Sequence, residues 1–198
     1  MGIGAINGMN NGYRYQNNVK KSSNVTGSFN DVLGGTTVTC SSTPGLVLHM
    51  SKEGDAEKSI GSWADAISGK SITVYKPADF DENNPVYRVK IWDTDGNVTE
   101  RMVDISELDV SNCDDYDMYA YACHLSDSGE YPNAMTRFMV AHVQHQGEIM
   151  NHGGTYDLDT AKNWMDILQH IMKQQYDVGN LSGYVEYKKF REFLVSKS

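Results

Sequence analysis

The sequence predicts an α+β fold: a small antiparallel sheet with a central β-hairpin, followed by about four helices packed on one face. Three observations carry this. Short β-branched and alternating segments fill the first half, an Asp-Gly turn joins two of them, and from about residue 113 the apolar period becomes helical and stays so. The β-branched run at 36–39 and the apolar 46–48 flank a Ser-Ser-Thr-Pro-Gly turn and predict two short strands. Ser62 is expected to cap a short helix over 63–67, with Gly69 past its end, and 71–75 to form a strand. Segments 86–92 and 98–105 bracket Asp93-Thr94-Asp95-Gly96-Asn97. Alternation there puts Tyr87, Val89 and Ile91 on one face and Arg88 and Lys90 on the other, and Asp-Gly suits a tight hairpin.

Four helical segments follow. Ser111 with Asp114 has capping-box spacing before a helix over 113–125. Asn133 is expected to cap a second helix to about residue 150, with Met135, Phe138, Met139, Val143, Ile149 and Met150 as its core stripe. Asp159 opens a third, with Trp164, Ile167, Leu168, Ile171 and Met172 at helical spacing, and Gly179 ends it. Ser182 caps a fourth, with Tyr187, Phe190, Phe193 and Leu194 inward.

Two regions divide the 198 residues: a mobile leader over 1–35 and a single α+β domain over 36–198. Half of the first 30 residues are Asn, Gly or Ser, and such a segment buries too little apolar surface to offset its ordering entropy. It carries Arg14, Lys20 and Lys21 and no acidic residue. The chain as a whole is at net −9, with 14 acidic residues against three Lys or Arg between Asp79 and Glu130. A surface of that sign repels phosphates, so nucleic acid is not an expected partner. No apolar run reaches the roughly 20 residues of a membrane span, and the start lacks the basic and apolar regions of a cleaved secretory signal.

Four possible metal ligands share one expected helix: His142-x-x-His145-x-x-Glu148-x-x-x-His152. At 100° per residue they span a compact arc on the shoulder of the apolar stripe, with His142 turned partly inward. Along the axis they spread over about 15 Å, too far for one ion unless the helix breaks. A metal-binding protein or metal-dependent hydrolase using His142, His145, Glu148 and His152 is therefore the alternative reading, and a half-buried His beside a polar shoulder is the plainer one. Asp93–Asn97 does not open an EF-hand, because Gly96 falls fourth and Asp104 twelfth where glycine and glutamate are needed at the sixth and twelfth places.

Cys40 and Cys123 are the candidate nucleophilic thiols. The three cysteines form no Cys-x-x-Cys pair and predict reduced thiols. His124 follows Cys123 but points about 100° away on a helix, so adjacency does not make it the base. No Gly-rich phosphate loop or nucleophile elbow occurs. No cofactor is expected, and enzymatic chemistry is unsupported. Tyr116, Tyr119 and Tyr121 on the first helix are the candidate interaction surface, since tyrosine suits half-buried contacts with another protein.

Thr73-Val74-Tyr75-Lys76-Pro77-Ala78-Asp79-Phe80, Asn84-Pro85-Val86-Tyr87-Arg88-Val89-Lys90-Ile91-Trp92, the Asp-Gly-Asn turn and Met118-Tyr119-Ala120-Tyr121 resemble a set of uncharacterised proteins, a domain of unknown function, from gut clostridia and their relatives. That resemblance implies a bacterial source and carries no activity or site residue. The leader ending Ser28-Phe29-Asn30-Asp31-Val32-Leu33 is similar to the unstructured starts of flagellar-type export substrates. The expectation is a non-enzymatic protein-interaction module, cytoplasmic or exported by that leaderless route.

Overall fold

The computed structural model describes Val38–Thr39 and residues 47–197. The leader expected over 1–35 and the candidate thiol Cys40 lie outside the described residues. Strands β1 (Val38–Thr39) and β2 (Val47–Leu48) pair antiparallel, as their composition predicts.

Strands β3 (Lys58–Ala64), β4 (Ser71–Lys76), β5 (Val86–Trp92) and β6 (Val98–Asp104) form an antiparallel meander in that order. The expected hairpin β5–β6 is present, in register from Val86 opposite Asp104 to Trp92 opposite Val98. Its turn is fastened by Asp93, whose Oδ1 accepts the amides of Asp95 and Asn97, while Gly96 adopts φ 82°. β5 lies inside the sheet and β6 at its edge. Ile72, Val74, Tyr87, Val89, Ile91 and Val103 form the buried inner face. On the outer face the Thr73 hydroxyl donates to the His49 carbonyl at 2.7 Å, and the His49 ring stacks on Trp92 at 3.8 Å.

The expected helix over 63–67 is instead the last two residues of β3 followed by the β3–β4 turn: Ser62 lies opposite Thr73, Trp63 opposite Ile72 and Ala64 opposite Ser71. Pairing with β4 satisfies these backbone groups, and Trp63 is buried in the core.

Four helices follow: α1 (Asp115–Asp127), α2 (Ala134–Asn151), α3 (Trp164–Asp177) and α4 (Leu181–Lys197). α1 lies against β3, β4 and β5, α2 packs on α1, and α3 and α4 pack together. The caps differ from those expected. Asp114, not Ser111, caps α1, accepting the amides of Tyr116 and Asp117, while Ser111 bonds Asp109. Asn133 stands at the start of α2 without a capping bond; the Ser126 hydroxyl accepts the Met135 amide instead. Asn163 caps α3, and Asp159 pairs with Lys70 at 2.7 Å. Asn180, not Ser182, accepts the amide of Gly183 in the first turn of α4. None of the helices is long and apolar enough to cross a membrane.

Candidate functional site

Helix α2 carries the sequence's histidine cluster, and its two sides do different things. Its core-facing residues are Ala134, Phe138, Ala141, His142 and Gln146, all buried, whereas Val143 and Met150, expected in the core stripe, are exposed. The helix is thus rotated from the orientation its apolar residues alone predict. Polar groups from distant segments account for the difference.

His142 is fully buried, with Trp63 edge-on at 4.5 Å. Its Nδ1 donates to Asp115 Oδ1 at 2.7 Å, and its Nε2 faces Asp65 Oδ1 at 3.6 Å with no hydrogen-bond partner. Asp115, in the first turn of α1, is the hub. It also accepts the Tyr156 hydroxyl at 2.8 Å and Lys162 Nζ at 2.5 Å. Lys162 is brought there by backbone pairing with Cys113, just ahead of α1, and Asp65 by the β3–β4 turn, where it accepts the Ser68 amide. Gln146 completes the group by donating to Asp65 at 3.1 Å.

Burial disfavours charge on His142, but the hydrogen bond to Asp115 and the nearby Asp65 carboxylate outweigh it and raise its pKa above the ordinary imidazole value. Asp65 is held below the usual carboxylate range: burial pushes it up, while His142, Ser68 and Gln146 together pull it further down. Burial, then the Asp115 charge, pushes the Tyr156 phenol up. Two carboxylates, the His142 ring and the Lys162 ammonium form a network joining α1, α2, the β3–β4 turn and the loop before α3.

The remaining members of the cluster do not meet His142. His145 packs edge-on to Tyr156 at 5.7 Å, and burial lowers its pKa. Glu148 accepts from His170 Nε2 at 2.9 Å, and the exposed His152 donates through Nδ1 to the Glu148 carbonyl at 2.8 Å. Among the described residues, no group of three or more His, Cys, Asp or Glu is arranged to hold an ion.

Cys123 is buried under β3, and burial pushes its thiol up to about 12, so it carries little thiolate at neutral pH. Its neighbour His124 turns away to the Tyr87 hydroxyl, 2.9 Å from Nδ1. His124 and Tyr87 wall a groove of about 360 Å3 in which Lys76 pairs with Asp127 at 2.5 Å and sits over the Phe80 ring. Tyr116, Tyr119 and Tyr121, expected as an interaction surface, are buried core residues in this fold. Tyr119 lines the packing of α1 against the sheet and α2, with Trp63 at 5.5 Å and Phe138 at 5.5 Å.

The outward side of α2 is the feature sequence reasoning missed. Thr136, Val140, Val143, Gly147 and Met150 recur at alternating spacings of four and three, within about 40° of one line on the helix. Val140, Val143 and Met150 are 40%, 58% and 42% exposed. Met139, Gln144 and Asn151 flank the line, so the whole strip is uncharged in a chain with 43 charged side chains. The four-three spacing was the available signal. No protein family, curated protein or solved structure matches this chain.

Proposed function

We propose that the chain is a protein-interaction module and that the outward strip of α2 is its docking face. One observation carries the reading: a continuous, uncharged, apolar line over four turns of a helix whose other side is locked to the core by a charged network. Contiguous exposed apolar surface marks interaction sites far more often than scattered apolar residues do. The four-three spacing fits a partner helix whose own side chains enter between these positions. The network supports the same reading, because a docking helix that cannot rotate loses little freedom on binding.

The test is a photo-crosslinking amino acid at Val143, compared with one at Lys173 on the exposed side of α3, in cells that make the protein. The reading expects a discrete adduct at 143 that is absent at 173. Equal labelling at both positions, or none at 143, overturns it.

A further inference from the structure

We infer that the helix received by this face is α2 of a second copy of the chain, lying antiparallel; the inference rests on the docking face proposed above. Val143 is a protrusion and Gly147, one turn away, is a hollow: a Cβ built on Gly147 would meet nothing within 4 Å. A two-fold axis passing between them sets Val143 of each copy over Gly147 of the other, and Val140 opposite Met150. Such a surface is complementary to itself, the requirement for an isologous dimer. Glycine within a helix weakens it relative to alanine, and nothing in the folded chain requires glycine at 147. A close helix approach does require it.

Charge points the same way. Two copies at net −9 repel unless they meet where charge is absent, and the strip is such a place. Beside its N-terminal end stands Arg137, bonded to Glu186 at 2.7 Å, and toward its C-terminal end Glu148, bonded to His170. Arg137 and Glu148 lie on the same flank of the strip, and antiparallel pairing keeps that flank on one side of the seam, so Arg137 of one copy faces the side that carries Glu148 of the other. From Thr136 to Met150 the seam runs only about 21 Å at about 1.5 Å per residue. That is short for the roughly 800 Å2 per partner of a standard interface, so the dimer is expected to dissociate in the micromolar range or above.

Sedimentation of the full chain between about 1 μM and about 1 mM reads this directly. The expected result is reversible dimerisation, weakened about a hundredfold by Val143→Lys, which removes two buried valines per dimer. Gly147→Ala gives the diagnostic pair of signs: it raises the melting temperature of the monomer while weakening the dimer about tenfold. With Cys40→Ser in both chains, a mixture of Val140→Cys and Met150→Cys proteins should form the mixed disulfide in preference to either homodimer. A chain that stays monomeric, dimerisation indifferent to Val143→Lys, or a dominant Val140→Cys homodisulfide overturns the inference. A monomeric chain whose crosslink at 143 captures a different protein also overturns it, while leaving the docking face standing.

Discussion

His142 Nδ1 and Asp115 Oδ1 stand 2.7 Å apart in the core, tying the middle of α2 to the first turn of α1. Asp115 simultaneously serves His142, Tyr156 and Lys162, so its removal takes the acceptor from the buried His142 Nδ1 and the Tyr156 hydroxyl, while Lys162 keeps the carbonyls of Asp157 and Thr160. Breaking a buried charged group in this way costs about 3–5 kcal/mol. Asp115→Ala is therefore expected to lower stability by that amount in urea unfolding. Lys162→Met should cost less, because Asp115 keeps two donors and the lysine stem is replaced by apolar volume.

The same network sets the titration of His142. Its pKa in the folded chain lies above the 6.5 of the unfolded one, so the folded state binds the proton more tightly. The resulting stabilisation is fully present below pH 6.5 and is lost as pH rises through the folded value. In NMR titration the His142 ring protons should move at a higher pH than 6.5, and those of His124 and His145, which burial lowers, at a lower one. The stability gap between the native chain and His142→Gln should shrink as pH climbs through the His142 midpoint. A gap that widens with pH would contradict the assigned sign.

Where the fold was legible in the sequence, the signal was local. Alternation about Asp95-Gly96 gave the β5–β6 hairpin, and Trp164, Ile167, Leu168, Ile171 and Met172 marked α3, because one side of each element simply faces the core. Residues 63 and 64 look helical locally because β3 is specified by its pairing with β4, which no local window contains, and 65–67 form the turn that joins the two strands. The site was misread for a related reason. The stripe of Met135, Phe138, Met139, Val143, Ile149 and Met150 includes the buried Phe138, but Asp65 and Asp115, remote in sequence, hold His142 inside and leave Val143 and Met150 in solvent. The charge partners of a buried histidine are fixed by topology, and an apolar strip reserved for a partner looks in sequence like core.

Gly61 of β3 lies close against α1. A Cβ there would run into the Cys123 sulfur and lie 3.0 Å from the Tyr119 hydroxyl. Overpacking of this kind costs about 1–3 kcal/mol, and Gly61→Ala is expected to do so. Cys123→Ala removes the obstructing sulfur, so in that background Gly61→Ala should cost measurably less. A double-mutant cycle with additive energies would show that the close approach is not the cause. Native Cys123 should also resist alkylation at pH 8 until the chain unfolds, since burial holds its thiol near 12.

Asp114 does two jobs at one point, and two substitutions separate them. It caps α1 through the amides of Tyr116 and Asp117, and it takes the Arg101 guanidinium of β6 in a two-pronged pair at 2.7 and 2.5 Å. The pair clamps the edge strand to the start of the helix, with Arg101 resting over the Tyr116 ring at 4.9 Å. A cap is worth about 1 kcal/mol, and a half-buried bidentate pair adds about 1–2 more. Asp114→Ala loses both and should cost about 2–3 kcal/mol, a drop of roughly 6–10 °C in melting temperature. Asp114→Asn keeps a good capping oxygen and loses only the charge facing Arg101, so it should cost about half as much. Salt discriminates further: raising ionic strength should narrow the difference between native and Asp114→Asn proteins, since Arg101 is partly exposed, and should leave the capping contribution unchanged.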